Sequence, residues 1–96
     1  MNTYIATFYS HFGAVRFARE LQTHGIHVSL GPVPRFLSSS CGTCAEFQYT
    51  PDPVSGNAQT GLINLLSHPE EIEQIVLLRP DGSHETASDI RFVNTR

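Results

Sequence analysis

The chain contains no lysine; its six basic residues are all arginine. That absence removes Schiff-base chemistry and the lysine that reaches nucleotide phosphates in a P-loop, so amine nucleophiles and triphosphate cradles have no candidate residue. The scarcity of cations, a net charge of -3 and a pI near 5.9 argue against a surface that neutralises many phosphates. Nucleic acid is therefore not the expected ligand. No run approaches the roughly 20 apolar residues of a membrane-spanning helix, and the start Met1-Asn2-Thr3-Tyr4 lacks the basic residues of a secretory signal. A cytoplasmic protein with no membrane partner is the expectation. Cysteine is scarce as well, with two residues. In a reducing compartment that number suggests reactive thiols rather than a disulfide staple.

What is present suffices for one core. Over 96 residues, 40% are hydrophobic, among them six phenylalanines and three tyrosines, so residues 1–96 read as a single domain. From Thr3 to Tyr9 aromatic and β-branched residues alternate, with Tyr4, Ala6 and Phe8 on one side, which predicts a strand. Ser10 stands where an N-cap would accept free amides. Ala14, Phe17, Ala18 and Leu21 then recur at helical spacing until Gly25 can close the helix. Ile26, Val28 and Leu30 alternate with polar residues into the rigid exit Pro32-Val33-Pro34, and Ala45, Phe47 and Tyr49 alternate again. A helix is expected after Ser55 through Ala58, Leu62, Leu65 and Leu66, then a helical turn at Glu70 and Glu71 and a strand from Ile72 to Leu78. Pro80-Asp81-Gly82 reads as a turn, with an extra C-terminal strand at Ile90–Val93.

The order strand, helix, strand, strand, helix, strand predicts an α+β fold. It matches the ferredoxin-like split βαβ sandwich, with two helices on one face of an antiparallel sheet. A doubly wound parallel sheet would need a helix between Leu30 and Ala45. That interval holds Pro32, Pro34, three serines and Gly42 instead.

The same interval carries the chemistry. A thiol reacts as its thiolate, so a working cysteine needs amides or a cation nearby. Arg35 is the nearest cation in sequence to Cys41, while Ser38, Ser39, Ser40 and Gly42 are small enough for successive amides to turn toward an anion. Cys41 is thus the expected reactive thiol. Cys44 sits in opposite parity to Ala45, Phe47 and Tyr49, so it either fills the other sheet face or works with Cys41. A pair of that kind needs a four-residue turn, for which Gly42 can supply a positive φ.

Pro34, Arg35, Leu37, Ser38, Ser39, Ser40, Cys41 and Gly42 together resemble the signature of the selenium/sulfur carrier protein-like family, small bacterial proteins. The resemblance extends back through the strand from Ile26 and the helix to the first strand, covering about half the chain. It implies a carrier or delivery role, with cargo held as a persulfide or perselenide on Cys41 and sulfur or selenium donor and acceptor proteins as partners. No resident cofactor or metal is implied, the role is that of a carrier more than of a stand-alone enzyme, and a homodimer stays open. Two features depart from the family. Cys44 replaces a small aliphatic residue, and residues 80–96 read as a subgroup-specific extension.

Three rivals share these residues. Cys41-Gly42-Thr43-Cys44 has thioredoxin-like spacing, but such motifs open a helix and this one runs into a strand. A metal site would pair the cysteines with His11, His24, His27, His68 or His84, yet no second compact ligand pair occurs. A Cys-His hydrolase lacks a histidine at a motif-defining distance. Glu70, Glu71 and Glu73 read as a solvated acidic helix start, and a plain interaction module remains the simplest alternative.

Overall fold

The fold is that of a computed structural model whose described residues are 2–49 and 66–86. It is α+β: one antiparallel five-stranded sheet and, among the described residues, one α-helix. In chain order the elements are β1 (Asn2–Phe8), α1 (His11–Thr23), β2 (Val28–Pro32), β3 (Thr43–Tyr49), a 3-10 turn (Pro69–Glu71), β4 (Ile72–Leu78) and β5 (His84–Thr86). The strands lie in the order β2-β3-β1-β4-β5, with β1 at the centre. The helix expected after Ser55 and the strand expected at Ile90–Val93 fall outside the described residues, apart from Leu66, which packs half-buried against the core.

Helix α1 forms where the sequence places it. Ser10 is extended and its Oγ accepts the Gly13 amide at 3.1 Å, so one free donor of the first turn is satisfied. Gly25, at φ +79°, lets the chain leave the helix toward β2. Ala14, Phe17, Ala18 and Leu21 are buried as the spacing predicts, and they pack on the face of the sheet bearing Tyr4, Ala6, Phe8 and Phe47. Phe17 joins the two layers. Its ring lies 5.0 Å from Phe8 and 5.5 Å from Phe47, and Phe47 stacks on Tyr4 at 5.6 Å across the β1–β3 pair.

Among the described residues, the other sheet face is covered by a loop. Ile5, Cys44 and Val76 form a second, smaller cluster, and Val33 and Leu37 from the connection between β2 and β3 pack on it. This connection, residues 33–42, crosses the sheet as a strap. It turns at Pro34–Leu37, where Leu37 N donates to Pro34 O at 3.0 Å, and it reaches the β5 edge, where Phe36 lies 4.4 Å from the His84 ring. It then returns to the end of the sheet where β1 stops and β3 and β4 begin.

β2 starts at Val28 rather than Ile26, and Leu30, on the outer strand, stays 42% exposed. Pro32 is tolerated in β2 because an edge strand leaves one side of its ladder unpaired. β5 was not expected at His84–Thr86, a stretch polar throughout and exposed at every residue, so it carries no periodic signal. The Pro80-Asp81-Gly82 turn is present as read and folds β5 back on β4, so residues 84–86 within the expected extension belong to the sheet.

Candidate functional site around Cys41

The strap ends at Cys41, a half-buried residue packed against the helix-side core, and Gly42 follows at φ +77°. A side chain at Gly42 would be strained in that left-handed conformation, which turns the chain sharply into β3. Val33 N donates to Gly42 O at 3.1 Å and closes the base of the strap. The Cys41 thiol donates to the Thr43 carbonyl (Sγ···O 3.5 Å), and its amide donates to Ser39 Oγ at 3.4 Å. Thr43 Oγ1 is hydrogen-bonded to His11 Nδ1 at 3.1 Å, so the first residue of α1 stands at the same end of the sheet as the thiol.

Cys44 is placed differently. It lies inside β3, paired with Thr7 on one side and Gly31 on the other, and is 5% exposed in the second cluster. Its thiol donates to Pro32 O at 3.5 Å. Burial raises its pKa above the ordinary thiol value, and the nearby Glu46 and Cys41 add to that effect. Both cysteines are free thiols. The turn expected over Cys41–Cys44 does not form, because residues 43 and 44 are already extended strand. Cys41, which precedes β3, packs on the helix-side core, whereas Cys44, inside β3, belongs to the cluster on the other face.

The serine run is anchored to β4. Ser40 donates to the Glu73 carboxylate twice, from its amide at 3.2 Å and from its hydroxyl at 2.9 Å, and the buried Thr7 hydroxyl donates to the same carboxylate at 3.2 Å. Gln74 Nε2 donates to Ser38 O at 3.0 Å, and Ser39 Oγ donates to Phe8 O at 3.4 Å. The amide and hydroxyl of Ser40, read from the sequence as donors to a sulfur anion, therefore hold a carboxylate. These bonds, led by the Ser40 amide and followed by the hydroxyls of Ser40, Thr7 and Ser39, hold the Glu73 carboxyl below the usual carboxylate range.

Glu73 corrects the reading of Glu70, Glu71 and Glu73 as one solvated helix start, for it belongs to β4 and faces the strap. The β1–β4 register shows why. Thr7 pairs with Gln74 and Phe8 with Ile72, so Glu73 is an extra residue in a bulge, and bulges re-aim side chains. The sequence held a trace of this: Ile72 and Ile75 are three apart yet both face the helix-side core, which a regular strand forbids.

Arg35 is exposed in the Pro34–Leu37 turn, and no ion pair or hydrogen bond joins it to Cys41 among the described residues. The next residue, Phe36, lies on His84, which pairs with Leu78 at the far end of β4 from Glu73. Those positions are five residue steps apart along the strand, about 17 Å. Of the serines, Ser39 is hydrogen-bonded to the Cys41 amide, whereas Ser38 and Ser40 are held by Gln74 and Glu73 of β4 and Cys44 is buried in the other cluster. Among the described residues, no group of three or more His, Cys, Asp or Glu side chains gathers where one metal ion could be held. No helix among them is long and apolar enough to cross a membrane.

No curated protein and no solved structure matches the chain. A family model described as "Putative Se/S carrier protein-like" matches residues 3–52, a span running from β1 through α1, β2 and the strap to just beyond β3. That match takes in just over half of the 96 residues, Cys41 and its serine strap included, and by it the chain belongs to the selenium/sulfur carrier protein-like family.

Proposed function

We propose that the protein carries sulfur or selenium as a persulfide or perselenide on Cys41 and passes it between a donor and an acceptor protein. The observation that bears most of this reading is the setting of Cys41 within the family-matched span, at the end of the strap. It is half-buried at a bend, with small residues on both sides. In the loading step the Cys41 thiolate attacks the outer sulfur of a donor persulfide. A new sulfur–sulfur bond forms at Cys41, the donor's own sulfur–sulfur bond breaks, and the donor leaves as a thiolate with no net oxidation. Delivery is the same exchange in reverse.

The strand order β2-β3-β1-β4 supports the ferredoxin-like plan for the scaffold, and such transfer suits a reducing cytoplasm. A thiol–disulfide redox cycle of Cys41 with Cys44 gains less support, because Cys44 is buried in a different cluster from the one Cys41 packs on. The reading is tested by exposing the parent chain, Cys41→Ser and Cys44→Ser to a low-molecular-weight persulfide and weighing each intact. The parent and Cys44→Ser should gain the mass of one sulfur and Cys41→Ser none. Uptake by Cys41→Ser equal to the parent would overturn the reading.

A further inference from the structure

We infer that Glu73 is a positioning residue: through Ser40 it clamps the strap so that Cys41 is presented at the sheet end while Cys44 stays covered on the opposite face. The two thiols are governed by one piece of chain. Strap residues Val33 and Leu37 roof the cluster that contains Cys44, and the strap's last residues, Ser40 and Cys41, run directly off the Glu73 clamp. Two neighbours on β4 hold it with opposite polarity, Glu73 accepting from Ser40 and Gln74 donating to Ser38. Outside these contacts the described anchors of the strap are the Ser39 hydroxyl on Phe8 O, the Val33 amide on Gly42 O, the Cys41 thiol on Thr43 O and the apolar contacts of Val33, Phe36, Leu37 and Cys41.

Bonds to an ionised acceptor exceed neutral ones in strength, so the Ser40–Glu73 pair is the strongest polar tie of the strap among the described residues. Releasing it lets the strap lift locally while the aromatic core on the other face is untouched. Cys44, buried in the cluster under the strap, then becomes accessible to solution reagents. The clamp therefore keeps a two-cysteine chain working as a one-thiol carrier. This meaning rests on the proposed role of Cys41, whereas the geometry does not depend on it.

The experiment is native-state alkylation with iodoacetamide near neutral pH, with each thiol followed separately by mass spectrometry and the denaturation midpoint measured in parallel. In the parent chain Cys44 should label far more slowly than Cys41. Glu73→Ala should raise the Cys44 rate about tenfold, and Glu73→Gln, which keeps an acceptor without the charge, should fall between. Glu73→Ala also strips a partner from buried Thr7, so Ser40→Ala is the deciding variant: it removes the Ser40 hydroxyl bond alone, leaves the Ser40 amide and Thr7 bonds in place, and should raise the Cys44 rate about threefold with the midpoint unchanged. A purely structural role would move Cys44 labelling only in step with the midpoint. Unchanged Cys44 labelling in Ser40→Ala, or a rise explained by lost global stability, would overturn the clamp. No sulfur donor enters the experiment, so failure of the carrier reading leaves its outcome independent.

Discussion

The two faces of the sheet are built on different principles. On one face, α1 presses Phe17 and Leu21 onto Tyr4, Phe8, Phe47 and Ile75, all nearly or wholly removed from water. On the other, three buried side chains, Ile5, Cys44 and Val76, are packed, among the described residues, by Val33 and Leu37 of the strap and by Leu78. Apolar burial scales with area, so the helix side holds most of the fold's stability and the strap side can open without unfolding it. Cys41 belongs to the first face and Cys44 to the second. Two cysteines three residues apart thus occupy environments of unequal stability.

Each face can be weakened separately. The largest effect is expected for Phe47→Ala, which removes ring contacts to both Tyr4 and Phe17 and should cost about 3–5 kcal/mol in chemical denaturation. A loss below about 1 kcal/mol would mean the helix-side core is not the main support. Leu37→Ala acts on the strap face, where the side chain is half-buried, and should cost roughly 1–2 kcal/mol while exposing Cys44 to alkylation. Equal protection of Cys44 in that variant would show that the strap is not its cover. Ser10→Ala should cost about 1 kcal/mol by freeing the Gly13 amide, with no change in Cys44 labelling, because the cap belongs to the helix side.

The smallest effect is a titration. Glu73 has a lowered pKa in the fold, and the groups facing it are the Thr7, Ser39 and Ser40 hydroxyls and the Ser40 amide. Its contribution is therefore present above the ordinary glutamate pKa of about 4.3 and is lost as pH falls through the lower folded value. The Ser40 amide resonance should shift with a midpoint below that ordinary value. A midpoint at or above it would show that the clamp is not formed in solution.

Much of the helix-side face is legible from local pattern. Tyr4, Ala6 and Phe8, the spacing of Ala14, Phe17, Ala18 and Leu21, and the alternation at Ala45, Phe47 and Tyr49 each announce the burial they have. The strap face is less legible because it depends on where chain goes rather than on period. Arg35 is six residues from Cys41 in sequence, yet the strap carries its turn out toward β5 before returning. Glu73 shares its run with exposed Glu70 and with Glu71, which pairs with Arg16 at 3.3 Å, and the bulge turns Glu73 to the strap instead. β5 packs almost nothing, so no hydrophobic pattern marks it. The parity argument for Cys44 did transfer, since strand alternation is local physics.

The central claim is that Cys41, and not Cys44, carries the cargo. The most direct measurement is loading of the parent chain with a persulfide under native conditions, alkylation of the terminal sulfur and sequencing of the peptide containing both cysteines by its fragment ions. Fragments dividing Gly42 from Thr43 separate the two thiols. The account predicts the extra sulfur on the Cys41 side, with Cys44 unmodified until the chain is denatured. Extra sulfur on Cys44, or a Cys41–Cys44 disulfide formed in the native chain at the rate of loading, would contradict it.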